Sequence, residues 1–376
     1  GQGDAVLIET PDGIIIVDGG PDDSLYHFMK YRYKSILDNN GKITIKAMVI
    51  SHPDYDHYNG LKKIVVDKGF VIKNIYHNGI SRYAKINKES IEDCIERMLE
   101  KGYMKSEDGQ YVLMNCFNSL DDIKAQLDEG IIASGFKSFW KAVEEAGVEK
   151  VQVITVEDGF LPDFTEMGSN KTRIKVLGPV PKRLSGDKPE YLAFDEPPLR
   201  EEEGHSENGY SHSHTRNGHS IVLRLEFGDH SFLFGGDLNI PAENHLMKHY
   251  GDENPFQVDV AKSCHHGSSD FTCKFLEKVN PLATVVSSGD NKSFDHPMAD
   301  AMGAAGKYSR GDLPLVFSTE LARAHQKGGK IHYGLINARS NGKVLAMAQM
   351  KEQHSGKSDI WDSYTVPWEG KFDKSS

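Results

Sequence analysis

The chain has 376 residues, 38% hydrophobic and 26% charged, enough to bury a large α/β core as one big domain or as a domain with an insertion. Its formal charge of −11 argues against a long nucleic-acid duplex as substrate, because phosphate neutralisation supplies most non-specific affinity. Lys62, Lys63, Lys68, Lys73, Lys85 and Lys88 still leave room for a local basic groove. No run approaches the roughly 18 apolar residues of a membrane span, and the first residues are unlike a signal peptide. Cys94, Cys116, Cys264 and Cys273 lack the spacing of a disulfide framework or zinc knuckle. Reduced thiols and a cytoplasmic protein are therefore expected. The abrupt opening at Gly1-Gln2-Gly3 suggests a missing upstream strand, leader or domain.

Residues 4–9 and 13–18 read as two strands around a Pro11-Asp12-Gly13 turn, and 23–38 have helical periodicity. A third strand, Lys46 to Ser51, runs into Ser51-His52-Pro53-Asp54-Tyr55-Asp56-His57-Tyr58-Asn59-Gly60. A helix start at 59–67 and a strand from Val71 to Tyr76 continue an α/β alternation. Residues 80–147 carry helical apolar spacing at Ile91, Ile95, Met98 and Leu99, and again at Phe136, Phe139, Trp140 and Val143. They predict a mostly helical insertion that serves as a lid or wall. Strands resume at 151–156 and 173–177. Residues 182–219, with Pro197-Pro198, Glu201 to Glu203 and scattered histidines, predict a long mobile polar loop. Further strands are expected at 221–227, 231–234, 258–263 and 283–287, with a helix from Ala242 to Tyr250.

Metal-type residues follow predicted strands five times: Asp18, His52 to His57, Asp237, His265-His266 and His296. Any one of them is ordinarily a turn or a helix cap. Together they point to one sheet edge, where α/β active sites form. The segment 52–57 alone holds two imidazoles and two carboxylates, a density that is costly to desolvate unless a metal uses it. The other candidates read as structural. His205, His212 and His214 are expected to be solvated, Cys264 to be a buried thiol, and Trp361, Tyr364 and Trp368 to cover apolar surface.

His52-Pro53-Asp54-Tyr55-Asp56-His57 resembles the His-x-His-x-Asp-His signature of the metallo-β-lactamase superfamily, with Asp54 replacing the second histidine. Gly1-Gln2-Gly3-Asp4-Ala5, Asp18-Gly19-Gly20, Gly236-Asp237, His265-His266-Gly267-Ser268 and His296-Pro297 resemble further motifs of one branch. That branch is typified by the hydrolase domain of the DNA-uptake competence protein ComEC. The likeness covers residues 1–78 and about 217–350. It implies a four-layer αβ/βα sandwich with two divalent ions, zinc or manganese. By that likeness His52 and Asp54 hold one ion, Asp56 and His57 the other, and Asp237 bridges them. His296 completes the second site, while His265 and His266 remain either ligands or a substrate-facing general acid. Asn217, in the turn Arg216-Asn217-Gly218-His219-Ser220, takes the place usual for a histidine.

Exchanging imidazole for the Asp54 carboxylate hardens the ligand set and shifts preference toward manganese. Asp18 is expected to orient His52 or His57 through its second nitrogen. Ser268 is expected to offer a donor to an anionic oxygen. The leading expectation is a phosphodiesterase or nuclease using a metal-bridging hydroxide, with Asp56 and His266 as catalytic residues and a nucleic-acid end or nucleotide as substrate. Hydrolysis of a thioester, lactone or lactam is the alternative from the same centre, because fold does not choose. A non-catalytic metal-binding sensor or scaffold is the third.

Overall fold

The computed structural model describes residues 2–84, 91–127, 132–168, 170–195, 210–289, 294–319, 335–350 and 361–366. Strands β1 (Ala5–Thr10) and β2 (Gly13–Gly19) form the expected hairpin. The Thr10 hydroxyl closes its turn, donating to the Gly13 carbonyl at 2.9 Å and accepting from the Asp12 and Gly13 amides. Strands β3 (Ile43–Ile50) and β4 (Phe70–His77) then add in parallel.

The insertion begins after β4. Helices Ile91–Glu100 and Ser134–Ala146 agree with the apolar spacing, and a further helix, Leu120–Leu127, lies between them. It also contains a hairpin, β5 (Met104–Glu107) and β6 (Gln110–Leu113), which the sequence reading did not include. The overlooked signal is Asp108-Gly109, a two-residue loop with φ of 53° and 76° that matches the twist of flanking strands.

Strand β7 (Lys150–Val153) completes the first sheet, in the order β1-β2-β3-β4-β7. Strand β8 (Thr172–Gly178) opens the second sheet, while β10 (Lys188–Leu192) returns to pair with β6 and carries β9 (Arg183–Ser185) on its other edge. Strands β11 (Val222–Phe227), β12 (His230–Phe234), β13 (Val260–Lys262), β14 (Ala283–Val286) and β15 (Leu315–Ser318) fill the second sheet, ordered β15-β14-β13-β12-β11-β8. A three-stranded antiparallel sheet of β16 (Ile336–Ser340), β17 (Leu345–Met350) and β18 (Trp361–Thr365) follows. Among the described residues no helix is long and apolar enough to cross a membrane.

The period of two along each strand builds the layers. Ile15, Val17 and Val49 of the first sheet meet Ile174, Val176, Leu223 and Leu225 of the second in one buried cluster. Alternate residues Ile16, Met48 and Ile50 pack outward against Leu25, Met29, Leu61 and Ile64. On the far side Val222, Leu233 and Ala261 pack against Ala242, Leu246, Phe275 and Val279. The result is helix, sheet, sheet, helix, the four-layer α/β sandwich that the sequence implied.

The predicted mobile loop is also corrected where it is described. Residues 183–192 form a hairpin and His212–Gly218 a helix, while 196–209, including His205, lie outside the described residues. Aromatic anchors outweigh the polar composition. The His219 ring is stacked between Tyr191 and Phe194 at 4.4 and 4.5 Å, and its Nε2 donates to the Leu192 carbonyl at 2.7 Å. Burial pushes His219 down to about 3, so it is neutral in that stack. His212 and His214 are likewise built in, against the Tyr210 hydroxyl at 2.7 Å and the Asp270 carboxylate at 3.2 Å.

Two stability predictions follow from this packing. A methyl group at Gly60 would overlap the carbonyl oxygens of Gly19 and Asp22, where the turn after β3 crosses the end of β2. Gly60→Ala is expected to cost about 3 kcal/mol, the upper end of overpacking, as a lower urea midpoint. The second concerns Glu243, buried on helix Ile240–Tyr250, where its carboxyl accepts from the Thr272 amide. Burial raises that carboxyl from 4.5 to about 8, so between those values the folded chain keeps a proton that the unfolded chain has lost. The stability from this group is full below the lower value and is lost as pH climbs through the upper one. Glu243→Gln, which keeps the acceptor, should flatten that decline by a few kcal/mol at about 1.4 kcal/mol per pH unit. Unfolding in urea on both sides of the window measures it.

Candidate metal centre

The site is assembled where the carboxyl ends of β2, β3, β12 and β13 converge. β2 ends in Asp18 at φ 57°, and its carboxylate accepts the Ser51 amide at 2.8 Å and the Ser51 hydroxyl at 2.7 Å. This grip fixes the start of the 51–60 segment. The short helix Tyr55–Tyr58 then turns His57 inward, and its Nδ1 lies 2.9 Å from the same Asp18 carboxylate. After β12 the Gly235-Gly236 bend delivers Asp237, whose amide donates to the Ser220 hydroxyl at 3.1 Å. After β13 the backbone of His265 and His266 is held at φ 46° and 54°, a strained region for residues with a Cβ.

That strain aims His266. Its Nδ1 lies 3.0 Å from the Ser287 carbonyl and 3.2 Å from the Asp4 carboxylate, while Nε2 lies 3.2 Å from Asp237 and 3.3 Å from Asp56. The Asp237 Oδ2 atom is also 3.3 Å from His57 Nε2 and 3.8 Å from His52 Nε2. The Nε2 atoms of all three histidines and Asp237 Oδ1 are buried without a hydrogen-bond partner. Such atoms cost about 1–3 kcal/mol each when left unsatisfied, so four converging on one point fit a bound cation. Asp4, His57, Asp237 and His266 put their ligand-type atoms within 4.8 Å of one another.

Residues 1–82 match the metallo-beta-lactamase superfamily. The likeness rests on this segment of 82 residues in a chain of 376. It is 32% identical over 84 residues to ComE operon protein 3 of Bacillus subtilis (strain 168), covering 22% of this chain and 10% of that protein. It is 39% identical over 82 residues to competence protein ComA of Neisseria gonorrhoeae, covering 22% of this chain and 12% of that one. The match thus spans about a tenth of each relative's length, consistent with a ComEC-like branch.

At this cluster the electrostatics are strongly paired. Burial alone would depress His57 and His266, but the carboxylates of Asp237 with Asp18, and of Asp237 with Asp4, hold both well above the usual histidine range. Burial opposes ionisation of Asp237, yet His266 and His57 keep it well below the usual carboxylate range. A metal would take the place of those imidazole protons. Burial and the neighbouring His57 lower His52 to about 4.

Of the residues expected at the site, the structure brings together His52, Asp56, His57, Asp237 and His266, with Asp18 behind His57. Asp54 is elsewhere engaged. Its carboxylate receives Arg216 Nε at 2.8 Å and Nη2 at 3.3 Å, and Arg82 Nη1 at 2.9 Å. The place beside Asp56 and Asp237 assigned to His296 is held by His266. The His296 Nδ1 instead takes the Gln2 amide at 2.7 Å, with its ring 6.4 Å from that of His266. His265 stands next to the Asn217 amide at 3.5 Å rather than at the carboxylates. The Ser268 hydroxyl accepts the Asp270 amide at 3.2 Å, bracing its own loop.

Sequence reasoning passed over Asp4, Lys262, Arg82 and Arg216. Asp4 makes a buried ion pair with Lys262, whose Nζ also donates to the Gly236 carbonyl at 2.9 Å. A lysine following the apolar Val260-Ala261 pair in the strand was the available signal. Asp18 and Asp4 each brace the rear nitrogen of a ligand-type histidine, so each is expected to tune metal affinity. Asp18→Asn should weaken manganese or zinc binding about 10- to 100-fold by calorimetry. Asp4→Asn should do the same and also strand Lys262, costing about 3–5 kcal/mol of stability, which thermal melts would register.

Proposed function

We propose that this chain is a metal-dependent phosphodiesterase. The observation that carries the reading is the pair of guanidiniums, Arg216 and Arg82, bound to the single Asp54 carboxylate beside the histidine cluster. Two fixed cations against one anion leave positive charge at the rim of the centre, which suits an anionic phosphoryl oxygen. A neutral thioester, lactone or lactam gains little from such a rim, so carbonyl hydrolysis is the weaker reading. The retention of His52, Asp56, His57, Asp237 and His266 around one point argues against a purely structural role.

Asp56, His57, Asp237 and His266 would hold a divalent ion. Such an ion makes its water more acidic and polarises the phosphoryl oxygen bound to it. The protein's own groups then do the rest. Asp18 and Asp4 keep the Nδ1 protons of His57 and His266 in place, so that both rings present Nε2 lone pairs inward. Asp56, 31% exposed at its side chain, is the ligand-type carboxylate that reaches the solvent side, where substrate enters. His266 serves as a ligand, because both its nitrogens are turned to carboxylates or a carbonyl. Among possible substrates, short single-stranded nucleic acid or a nucleotide accords with the acidic chain and with relatives named as competence proteins.

Manganese- and zinc-loaded protein should hydrolyse bis(p-nitrophenyl) phosphate and short single strands, and a chelator should abolish it. His266→Ala should lower kcat/KM on the order of 100-fold or more, since it withdraws several kcal/mol of metal-dependent stabilisation. Turnover confined to thioesters or lactones, or none with any metal, would sink the reading.

A further inference from the structure

We infer that the centre holds one divalent ion and that the Arg216 guanidinium stands where a second would bind. The resemblance implies two ions, the first held by His52 and Asp54 with Asp237 shared. In this chain both Asp54 oxygens are already occupied, by a two-pronged contact from Arg216 and a further one from Arg82. A guanidinium does not lose its proton, so Arg216 cannot make way by becoming neutral. A dication at this place would face that fixed positive charge.

Nor is Arg216 free to swing aside. Its side chain is 9% exposed, and it lies on helix His212–Gly218. That helix is pinned by Ser211, whose hydroxyl accepts from the His214 amide, and by Thr215, whose hydroxyl accepts the Phe194 amide at 2.8 Å and donates to the Ser211 carbonyl at 2.8 Å. The donors left at the first place are also too few. His52 Nε2 and the neutral Asn217 Oδ1 are buried without a partner, the Asn217 amide nitrogen faces His265, and Asp237 is shared with the other place. One histidine, one neutral amide oxygen and a shared carboxylate, with Asp54 taken by arginine, make a poorer set than the three or four anionic or imidazole ligands of a tightly held zinc or manganese ion. The second place has His57, Asp237 and His266 together, with the Asp56 carboxylate 3.3 Å from His266 Nε2. Arg216 then contributes charge beside a single ion, without the water activation that a second ion would add.

Metal count tests this without any substrate, so it succeeds or fails independently of the phosphodiesterase reading. The full chain is stripped with chelator, reloaded with excess manganese or zinc, gel-filtered, and its metal measured by elemental analysis and calorimetric titration. We expect one equivalent per chain in the wild type and one in Asp54→Asn, with affinity unchanged within about threefold. Arg216→Met, checked for folding by near-ultraviolet circular dichroism, frees Asp54 next to His52 and should gain a second equivalent. Two equivalents in the wild type, or loss of the ion in Asp54→Asn, overturn the proposal. A folded Arg216→Met chain that still binds one ion also overturns the claim that arginine bars the second. If that variant does not fold, the wild-type and Asp54→Asn counts decide.

Discussion

Everything at the centre is arranged around one buried anion, the Asp237 carboxylate. Three imidazole nitrogens lie between 3.2 and 3.8 Å from its Oδ2 atom. A carboxylate taken out of water needs compensation within a few ångströms, and imidazoles provide it only when their protons are held in place. That requirement explains the second ring of acids. Asp18 stands behind His57 and Asp4 behind His266, so each histidine lies between two carboxylates. The fold's task is to bring these residues together from distant stretches of sequence.

The two-sheet core does this. Asp18, His52 and His57 follow β2 and β3, whereas Asp237 and His266 follow β12 and β13. The sheets are locked face to face by Ile15, Val17, Val49, Leu223 and Leu225, so the strand ends of both halves open on the same edge. Apolar packing therefore sets the distance between ligands that belong to different halves. Direct cross-links refine it. The Ile221 amide donates to the Ser51 carbonyl at 2.9 Å, and the Ser220 hydroxyl lies 3.2 Å from His52 Nδ1. Lys262 plays the corresponding part beneath the site, tying the amino-terminal Asp4 to the bend before Asp237.

The strands and the residues at their ends were legible because period-two burial and ionisable groups after apolar runs are local signals. His57 and Asp237 were found that way. The choice among His265, His266 and His296 was not legible, since it depends on ring orientation. Positive φ at both His265 and His266 turns only the second toward Asp237, and Gln2 draws His296 aside. The segment 182–219 misled for a related reason. Its composition is polar, but a few aromatics, Tyr191 and Phe194 around His219, suffice to anchor it. Composition averages over residues, while packing is decided by the few that meet.

Asp54 carries that lesson furthest. It lies inside the segment that matches the superfamily, and read with its sequence neighbours it is a metal ligand. The group that claims it is 162 residues away, on a helix beyond the matched segment. A carboxylate offers the same lone pairs to a metal or to a guanidinium, and the motif does not say which will arrive. The Arg216 fork satisfies both oxygens at once and cannot be titrated away, so it competes on different terms from a proton or a water molecule. The ligand count of a metal motif is therefore a property of the folded neighbourhood, and here the residue that departs from the signature is also the one whose partner departs with it.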